Sequence, residues 1–512
     1  MAVRGPDEET VPGRRPPAGR PGHIVQIAKQ TVIYGLSGVS LQLVGLVTLP
    51  VYARTFSPRD YGVLELATVG SSVLITLVDA GFTSASQRSF YDYDDSRVAD
   101  RRRVISTALA FTMLLSCLAA LAVILARDPL SAWLFNGEHR DKLILVAAVT
   151  VPLVNAANLA RQTMRLRFRA WRFVISSVLA ALVSAGVGIA AVVAFDSGVT
   201  GVFVGLIVGN ALAAAYGVFA IRSDLSRAFS AYEFRRMFAF GIPLIPTALA
   251  LWALAFLDRI MLSKLSSLDE VGQYAVANRI SSVLMLGVVA FTTAVGPQLF
   301  SLFATDPELE KAIRSRILTY LTVGLSLAGI CLALFAREIV RVVAPDYHSA
   351  YEAVGLLLLS IVAFGMSSVT MAGISYTRRA VFFAIGAGFA FVVHVGLNFA
   401  LMPSLGMLGA AISTAVAYLL LAGFYLIVSQ RLYPTRYEER KVVLTALLAT
   451  GIGVLGVVPL GPAASSVPLK LLAVLAFLLS IRLFGVIGLE ETRQIRGLVG
   501  GTFRSLRPQA RA

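Results

Sequence analysis

Six polar residues recur at helical spacing inside an apolar stretch near the start of the chain. They are Glu65, Thr68, Ser72, Thr76, Asp79 and Thr83. At about 100° per residue these positions share one face of an α-helix, within an arc of roughly 80°. A carboxylate that faces lipid is strongly disfavoured, so the stripe predicts a face that lines a water-filled interior. The alternative is that the hydroxyls bond their own backbone carbonyls while Glu65 and Asp79 reach the two membrane interfaces.

Other charged or titratable residues lie within or near later apolar stretches. Arg279 lies inside one stretch, and Asp258 and Arg259 lie near the end of the stretch before it. Because a guanidinium donates two parallel hydrogen bonds to a phosphate, Arg259 and Arg279 are candidate contacts for an anionic substrate. The alternative is interface anchoring, or pairing with a carboxylate such as Glu65. His394 is a candidate proton relay, although a packing contact is its simpler interpretation.

The elements that carry these residues are fourteen apolar stretches between Thr31 and Leu489, each about long enough to cross a bilayer. The chain is 57% hydrophobic and 14% charged, and its mean hydropathy is +0.77. The runs are continuous rather than alternating in polarity, which favours helices over membrane strands. We therefore expect an all-α polytopic membrane protein with about fourteen transmembrane helices.

The basic residues are distributed unevenly among the connecting segments. Most of the 45 Lys and Arg residues fall in alternate segments, together with the two ends of the chain. The positive-inside rule then places both termini in the cytoplasm. Basic loops beside an anionic leaflet account for the net charge of +16, so we expect membrane lipids as partners and no nucleic acid. Residues 1–26 have no apolar core and predict a disordered cytoplasmic tail, and residues 490–512 predict a basic one.

Sequence motifs for catalysis are missing. The chain has no Gly-x-x-x-x-Gly-Lys-Ser/Thr loop, no His-Glu-x-x-His and no paired-Cys metal motif. The segments between the apolar stretches are too short to fold alone. We expect no enzyme activity, no cofactor and no metal site, and any chemistry must use the helices.

The two halves of the apolar region repeat each other. Shifting the chain by 210 residues lays Gly62 on Gly272 and the run Ser71-Ser72-Val73-Leu74 on Ser281-Ser282-Val283-Leu284. Such a repeat is common in transporters, and an offset of six helices makes it parallel. The predicted division is an N-lobe at 27–222 with helices 1–6, a C-lobe at 223–430 with helices 7–12, and helices 13–14 at 431–489. Two lobes imply a central cavity.

Two groups of short motifs resemble the bacterial polysaccharide and oligosaccharide flippases of the multidrug/oligosaccharidyl-lipid/polysaccharide exporter superfamily. The first group comprises Leu49-Pro50-Val51-Tyr52-Ala53-Arg54, Ser57-Pro58-Arg59-Asp60-Tyr61-Gly62, Asp79-Ala80-Gly81-Phe82 and Arg88. The second comprises Asp258-Arg259-Ile260-Met261-Leu262, Val271-Gly272-Gln273-Tyr274 and Gly296-Pro297. The likeness extends over most of the chain, although each motif is short.

The resemblance implies a transporter that flips a polyprenyl-diphosphate-linked oligosaccharide from the inner to the outer leaflet of the bacterial plasma membrane. It marks Arg54, Arg88, Asp258 and Arg259 as the positions to test first. Alternating access between two lobes is the expected mechanism, with Asp79, Asp258 and His394 as candidates for ion coupling. Glycan polymerases or transferases are the expected protein partners.

Three other functions remain open from the sequence. A cation-coupled drug antiporter of the same superfamily needs an acidic cavity, and here the basic candidates slightly outnumber Glu65, Asp79 and Asp258. A lipid-II-type flippase is closer in substrate. A membrane glycan polymerase or ligase, from a different class, is disfavoured because the segments between the apolar stretches are too short for a large catalytic loop.

Overall fold

The computed structural model describes residues 42–454, except 80, 95 and 227, and residues 463–486. Within these ranges the chain is helical and contains no strand, which confirms the all-α prediction. Ten of the described helices are long and apolar enough to cross a membrane. The predicted count of fourteen is not established by these ten. The predicted tails at 1–26 and 490–512 lie outside the described residues.

The N-terminal half contains eight helices and the C-terminal half eleven within the described ranges. The first eight are α1 (residues 42–55), α2 (Pro58–Asp79), α3 (Phe82–Tyr91), α4 (Val98–Leu125), α5 (Arg127–Leu134), α6 (Asp141–Leu166), α7 (Ala170–Val193) and α8 (Gly198–Ile221). The others are α9 (Ala231–Gly241), α10 (Ile245–Leu265), α11 (Leu268–Ser281), α12 (Val283–Thr305), α13 (Pro307–Leu334), α14 (Ala336–Val343), α15 (Ala350–Thr370), α16 (Ala372–Tyr376), α17 (Val381–Leu432), α18 (Glu439–Val454) and α19 (Ala463–Leu483).

Several predicted apolar stretches are divided into two helices. Gly81 has a left-handed backbone, with φ of 71°, between α2 and α3. A short 3₁₀ segment at Ile242–Leu244 separates α9 from α10, and Ser282 lies between α11 and α12. These three breaks place helix ends, with their free backbone groups, inside the apolar region. In contrast, α17 covers two predicted stretches and bends between them at Gly406, where φ is 52° and ψ is −127°.

Polar side chains bond the first turns of α2 and α11 at matching positions. The Asp60 amide donates to the Ser57 hydroxyl at 3.2 Å, and the Glu270 amide donates to the Ser267 hydroxyl at 3.2 Å. Such caps satisfy amides that have no partner within the helix. The cap residues are separated by the same 210 positions as the sequence repeat.

Most helix packing falls within each half of the chain. In the N-terminal half α6, α7 and α8 pack together, and in the C-terminal half α10, α15 and α17 do so. We call α1–α8 the N-lobe and α9–α17 the C-lobe, following the predicted boundaries. α18 and α19 pack against α13.

α2 and α11 bring the two lobes together through a reciprocal close approach. A Cβ atom on Gly62 would lie 2.1 Å from the Leu268 carbonyl oxygen, and a Cβ atom on Gly272 would lie 1.9 Å from the Pro58 carbonyl oxygen. Only glycine permits backbones to approach this closely. Gly62 and Gly272 are repeat partners, and so are Pro58 and Leu268. The contact is therefore related by a pseudo-two-fold axis.

Polar contacts follow the same symmetry. Arg54 donates to the Val342 carbonyl at 2.7 Å, and its repeat partner Lys264 donates to the Trp133 carbonyl. Two further repeat partners also form equivalent contacts, since Ser71 donates to the Ala147 carbonyl at 3.5 Å and Ser281 to the Val354 carbonyl at 3.3 Å. The structure thus supports the parallel repeat. We call the end of the molecule near Pro58 and Leu268 the Gly62 end.

The lobes also meet at the opposite end, which we call the Gly81 end. There the backbone of Gly81 packs against Gly241, and a Cβ atom on Gly81 would lie 3.0 Å from the Gly241 carbonyl oxygen. Tyr93 donates to Glu233, and Arg236 pairs with Asp92. These contacts join α3 and the following loop to α9.

Candidate substrate cavity and buried polar network

Two cavities open along α2 on the side that faces α6 and α7. The first, which we call the Glu65 cavity, has a volume of about 330 Å³ and is lined by residues of α1, α2, α6, α7, α8 and α11. The second, the Asp79 cavity, has a volume of about 690 Å³ and lies nearer the Gly81 end, between α2, α3, α6, α7 and the start of α10. Arg161 and Ser177 line both, so the two cavities are neighbours.

The predicted polar stripe of α2 follows both cavities. Glu65 and Thr68 line the first, and Thr76, Asp79 and Thr83 line the second. Ser72 lies between them, where the Trp252 indole donates to its hydroxyl at 2.9 Å. The stripe therefore faces hollow space over most of its length.

The hydroxyl groups of the stripe also bond their own helix. Thr68 donates to the Leu64 carbonyl at 2.8 Å, Ser72 to the Val69 carbonyl at 2.7 Å and Thr76 to the Ser72 carbonyl at 2.9 Å. The stripe thus combines the two interpretations left open by the sequence: it lines cavities, and its hydroxyl groups bond their own helix backbone. Because the hydroxyl protons are committed to the backbone, these oxygens face the cavities mainly as acceptors.

Arg259 lies outside the cavities in a buried ion-pair cluster. Its side chain donates to Glu65 at 2.9 Å and to Asp258 at 2.8 Å, and also to the Ala255 carbonyl. Arg259 is only 2% exposed. In the structure Arg259 therefore pairs with carboxylates, which was one of the alternatives. Its pair with Glu65 links α10 of the C-lobe to α2 of the N-lobe.

A chain of hydrogen bonds continues from Asp258 into the C-lobe. Tyr274 donates to Asp258 at 2.5 Å, and the Thr414 hydroxyl lies 3.4 Å from the same carboxylate oxygen. The Nε2 atom of His394 lies 3.4 Å from the Thr414 hydroxyl. Two of the predicted coupling candidates, Asp258 and His394, therefore belong to one buried network.

Two atoms at the far end of this network are buried without a hydrogen-bond partner. They are Nδ1 of His394 and Oδ1 of Asn398, and both residues are fully buried. The amide nitrogen of Asn398 lies 3.8 Å from the Met261 sulfur. Unsatisfied buried polar atoms are uncommon, so these two atoms distinguish this end of the network from the rest of the buried polar groups.

The remaining predicted site residues lie in three different environments. Arg279 lines the Glu65 cavity together with Tyr61. Asp79 accepts from the Thr83 amide at 3.3 Å and lines the Asp79 cavity. Arg54 and Arg88 are exposed and are not lining residues of either cavity. Arg54 bonds Val342 as described above, and Arg88 lies 4.7 Å from the centre of the Phe240 ring.

Arg161 lines both cavities although it was not among the candidate site residues identified from the sequence. Its Nη2 atom donates to the Asn158 side-chain oxygen at 2.6 Å, while Nη1 is buried without a partner. No described carboxylate forms an ion pair with it. The signal was present in the sequence, because Asn158, Arg161 and Arg165 are spaced three and four residues apart and α6 continues to Leu166.

Among the described residues no group of His, Cys, Asp and Glu is placed to hold a metal ion.

The family model described as "Polysaccharide biosynthesis protein" matches residues 27–303, more than half of the chain. The chain belongs to this family. A Shigella flexneri protein named "Putative O-antigen transporter" is 23% identical over 408 residues, which cover 76% of this chain and 94% of that protein. The "Probable flippase AglR" of Haloferax volcanii is 29% identical over 265 residues, which cover 48% of this chain and 50% of that protein.

The fold of this polysaccharide biosynthesis family member is shared with solved transporters. A structure of the lipid II flippase MurJ in an inward closed conformation superimposes with a TM-score of 0.70 at 12% identity, covering 88% of this chain and 99% of that chain. An inward-facing multidrug resistance MATE family transporter superimposes with a TM-score of 0.64 at 15% identity, covering 76% of this chain and 94% of that chain. The chain therefore has the fold common to MurJ and MATE transporters.

In this family member the charged groups form two distinct environments. Arg259 is shared between Glu65 and Asp258, so this cluster links the two lobes and presents no free cation. The Glu65 cavity keeps Arg161 and Arg279, while its carboxylate is already paired. Its electrostatics therefore suit an anion rather than a cation.

Proposed function

We propose that the protein flips a polyprenyl-diphosphate-linked oligosaccharide from the inner to the outer leaflet of the bacterial plasma membrane for cell-surface polysaccharide biosynthesis. The observation that carries this proposal is the Glu65 cavity, which has basic side chains and an already paired carboxylate. Membership in the polysaccharide biosynthesis family supports it, as do the names of the Shigella and Haloferax relatives.

The chemistry of the substrate suits this cavity. A diphosphate carries at least two negative charges, which cannot enter hydrocarbon unaided. Guanidinium groups bind phosphate oxygens with paired hydrogen bonds, and the hydroxyl and amide groups along α2, α6 and α7 suit a sugar. The prenyl chain remains in the bilayer while the head group occupies the cavity.

The two sets of lobe contacts suit alternating access. On the predicted topology the Gly62 end faces outward and the Gly81 end faces the cytoplasm, with both chain termini cytoplasmic. The head group enters when the contacts of Tyr93 and Arg236 separate, and it leaves when the contact between Gly62 and Gly272 separates. No bond is made or broken, so the protein acts as a transporter rather than an enzyme.

The energy for outward movement has two proposed sources. An inside-negative membrane potential favours outward transfer of negative charge by about 2.3 kcal/mol per charge per 100 mV. Proton or cation coupling through Asp79 or through the network of Asp258 and His394 would add to it. Glycan polymerases or transferases that make or consume the lipid-linked glycan are the proposed partners.

The decisive experiment measures translocation in vesicles that contain the purified protein. A fluorescent lipid-linked glycan is placed in both leaflets, and a membrane-impermeant lectin or glycosidase reports the exposed fraction with time. We expect protein-dependent exchange that rises with membrane potential. Equal rates with lipid II would favour the lipid-II-type alternative, and no exchange with any prenyl-diphosphate substrate would refute the proposal.

A further inference from the structure

Arg161 occupies a position in the N-lobe that distinguishes it from the arginines singled out by sequence. It lies on α6 five residues before Leu166, which is about 7.5 Å from that end of the helix. Side chains in an α-helix lean toward the N-terminus, so that of Arg161 points away from the nearby helix end. It lines both the Glu65 cavity and the Asp79 cavity.

The hydrogen-bonding of Arg161 leaves part of its donor fork unused. Asn158, three residues earlier on α6, accepts from Nη2 at 2.6 Å and fixes that side of the guanidinium. Nη1 is buried without a hydrogen-bond partner. Arg161 as a whole is half-buried, and a guanidinium that lines a cavity without a carboxylate partner favours an anion as its counter-charge. The side chain is therefore oriented by Asn158 and has a donor group that can bind an anion.

The surrounding charges do not complete it. Glu65 is paired with Arg259, and Asp79 accepts from Thr83. Arg165, the next basic residue on α6, lies 5.0 Å from the centre of the Phe173 ring and lines the Asp79 cavity. Arg161 is thus an arginine at the junction of the two cavities that forms no ion pair with any described carboxylate.

We propose that Arg161, oriented by Asn158, is the residue that holds the diphosphate of the lipid-linked substrate as the head group passes between the Asp79 cavity and the Glu65 cavity. The proposal rests on the proposed function and names the residue that binds the anion. Its position on the boundary explains how one guanidinium serves both cavities. Ser177 of α7, which also lines both, supplies a neutral hydroxyl beside it.

The first test measures binding to the full-length protein in nanodiscs of phosphatidylcholine. Geranylgeranyl diphosphate is the probe, and inorganic pyrophosphate and phosphatidylglycerol are the comparison ligands. We expect Arg161→Gln to weaken binding of the probe at least about tenfold, because a charged hydrogen-bond pair is lost. Arg161→Lys is expected to retain part of the affinity, since the charge remains without the planar fork. Arg102→Gln, at an exposed arginine on α4, is the matched control.

The comparison ligands separate the sources of the anion. Equal, Arg161-dependent binding of pyrophosphate would make this a free-anion site, and equal binding of phosphatidylglycerol would make it a bulk-lipid site. Either result overturns the assignment, as does unchanged probe affinity in Arg161→Gln. If wild type shows no translocation at all, the proposed function fails. If wild type translocates and Arg161→Gln matches it in rate and affinity, only the role of Arg161 fails.

A second measurement needs no variant. Phenylglyoxal modifies accessible guanidinium groups, and mass spectrometry locates the modified residues. Geranylgeranyl diphosphate is expected to protect Arg161 while leaving Arg102 reactive. Equal modification of Arg161 with and without the probe would overturn the proposal even if Arg161→Gln does not fold.

Discussion

The contact between Gly62 and Gly272 determines how closely the two lobes approach at one end of the molecule. Replacing Gly62 by alanine puts a Cβ 2.1 Å from the Leu268 carbonyl oxygen, and replacing Gly272 puts one 1.9 Å from the Pro58 carbonyl oxygen. An ordinary Cβ contact begins near 3.4 Å. Backbone atoms cannot rotate away, so α2 and α11 must separate by roughly 1 to 1.5 Å.

The energetic effect follows from that separation. Overpacking of this kind costs about 1 to 3 kcal/mol. The cost falls on the conformation in which the Gly62 end is closed and is relieved when the lobes part there. An equilibrium between closed and open states should therefore shift toward open by a factor of about 5 to 150 for each substitution.

Double electron–electron resonance spectroscopy on a variant without its two cysteines measures this shift in the equilibrium between closed and open states. Spin labels at the exposed positions Thr55 and Asp269 report the separation of the lobes at this end. We expect a longer-distance population in Gly62→Ala and in Gly272→Ala. Gly324→Ala on α13 is the control, because a Cβ there meets no atom within 4 Å. Unchanged distances in both variants, or the same change in the control, would refute the reasoning.

Three further predictions concern ionisable groups. Arg259→Gln leaves Glu65 and Asp258 without their cation, so the free energy of unfolding in detergent should fall by about 3 to 5 kcal/mol. A smaller decrease in the double variant Arg259→Gln/Glu65→Gln would confirm that the ion pair is responsible. If the network relays protons, Asp258→Asn should abolish the dependence of vesicle transport on a pH gradient and leave potential-driven transport intact. An unchanged dependence on the pH gradient would contradict a role of Asp258 in proton coupling. Burial raises the pKa of Glu138, but hydrogen bonds from Arg59 and Arg140 outweigh it and hold the pKa below its ordinary value. The stability contributed by this carboxylate is therefore present above its ordinary pKa and lost as pH falls through the lowered one, so the melting temperatures of wild type and Glu138→Gln should converge in acid.

The parts of the fold that sequence predicted are those set by periodicity. The stripe from Glu65 to Thr83 was recognisable because a helix repeats every 3.6 residues, and the structure places most of it along the two cavities. The repeat was recognisable because Gly62 and Gly272 share a position. Its physical cause, the reciprocal backbone contact, required three dimensions.

The parts that sequence left open or missed depend on which helices are neighbours. Pairing of Arg259 with Glu65 was one of several alternatives, because it needs α2 and α10 side by side and helix order along the chain does not determine that packing. Arg161 was not a candidate site residue, because basic residues near helix ends normally mark the cytoplasmic side. Its direction into the cavity follows from the lean of the side chain, which the charge count ignores.

The symmetry contact and the ion-pair cluster occupy the same stretch of α2, which connects the movement of the lobes to the charge in the cavity. Glu65 lies one turn after Gly62, and it holds Arg259 across the lobe boundary at 2.9 Å. A separation of 1 Å or more at Gly62 would stretch this pair beyond hydrogen-bond length unless a side chain follows. We therefore expect Arg259 to lose its N-lobe partner as the Gly62 end opens while it keeps Asp258, so that the unpaired Glu65 carboxylate adds a negative charge to the Glu65 cavity only in that state. Chemical modification of Arg259 should then increase in Gly62→Ala relative to wild type and to Gly324→Ala, and equal modification in all three proteins would show that the pair moves as a unit with both lobes.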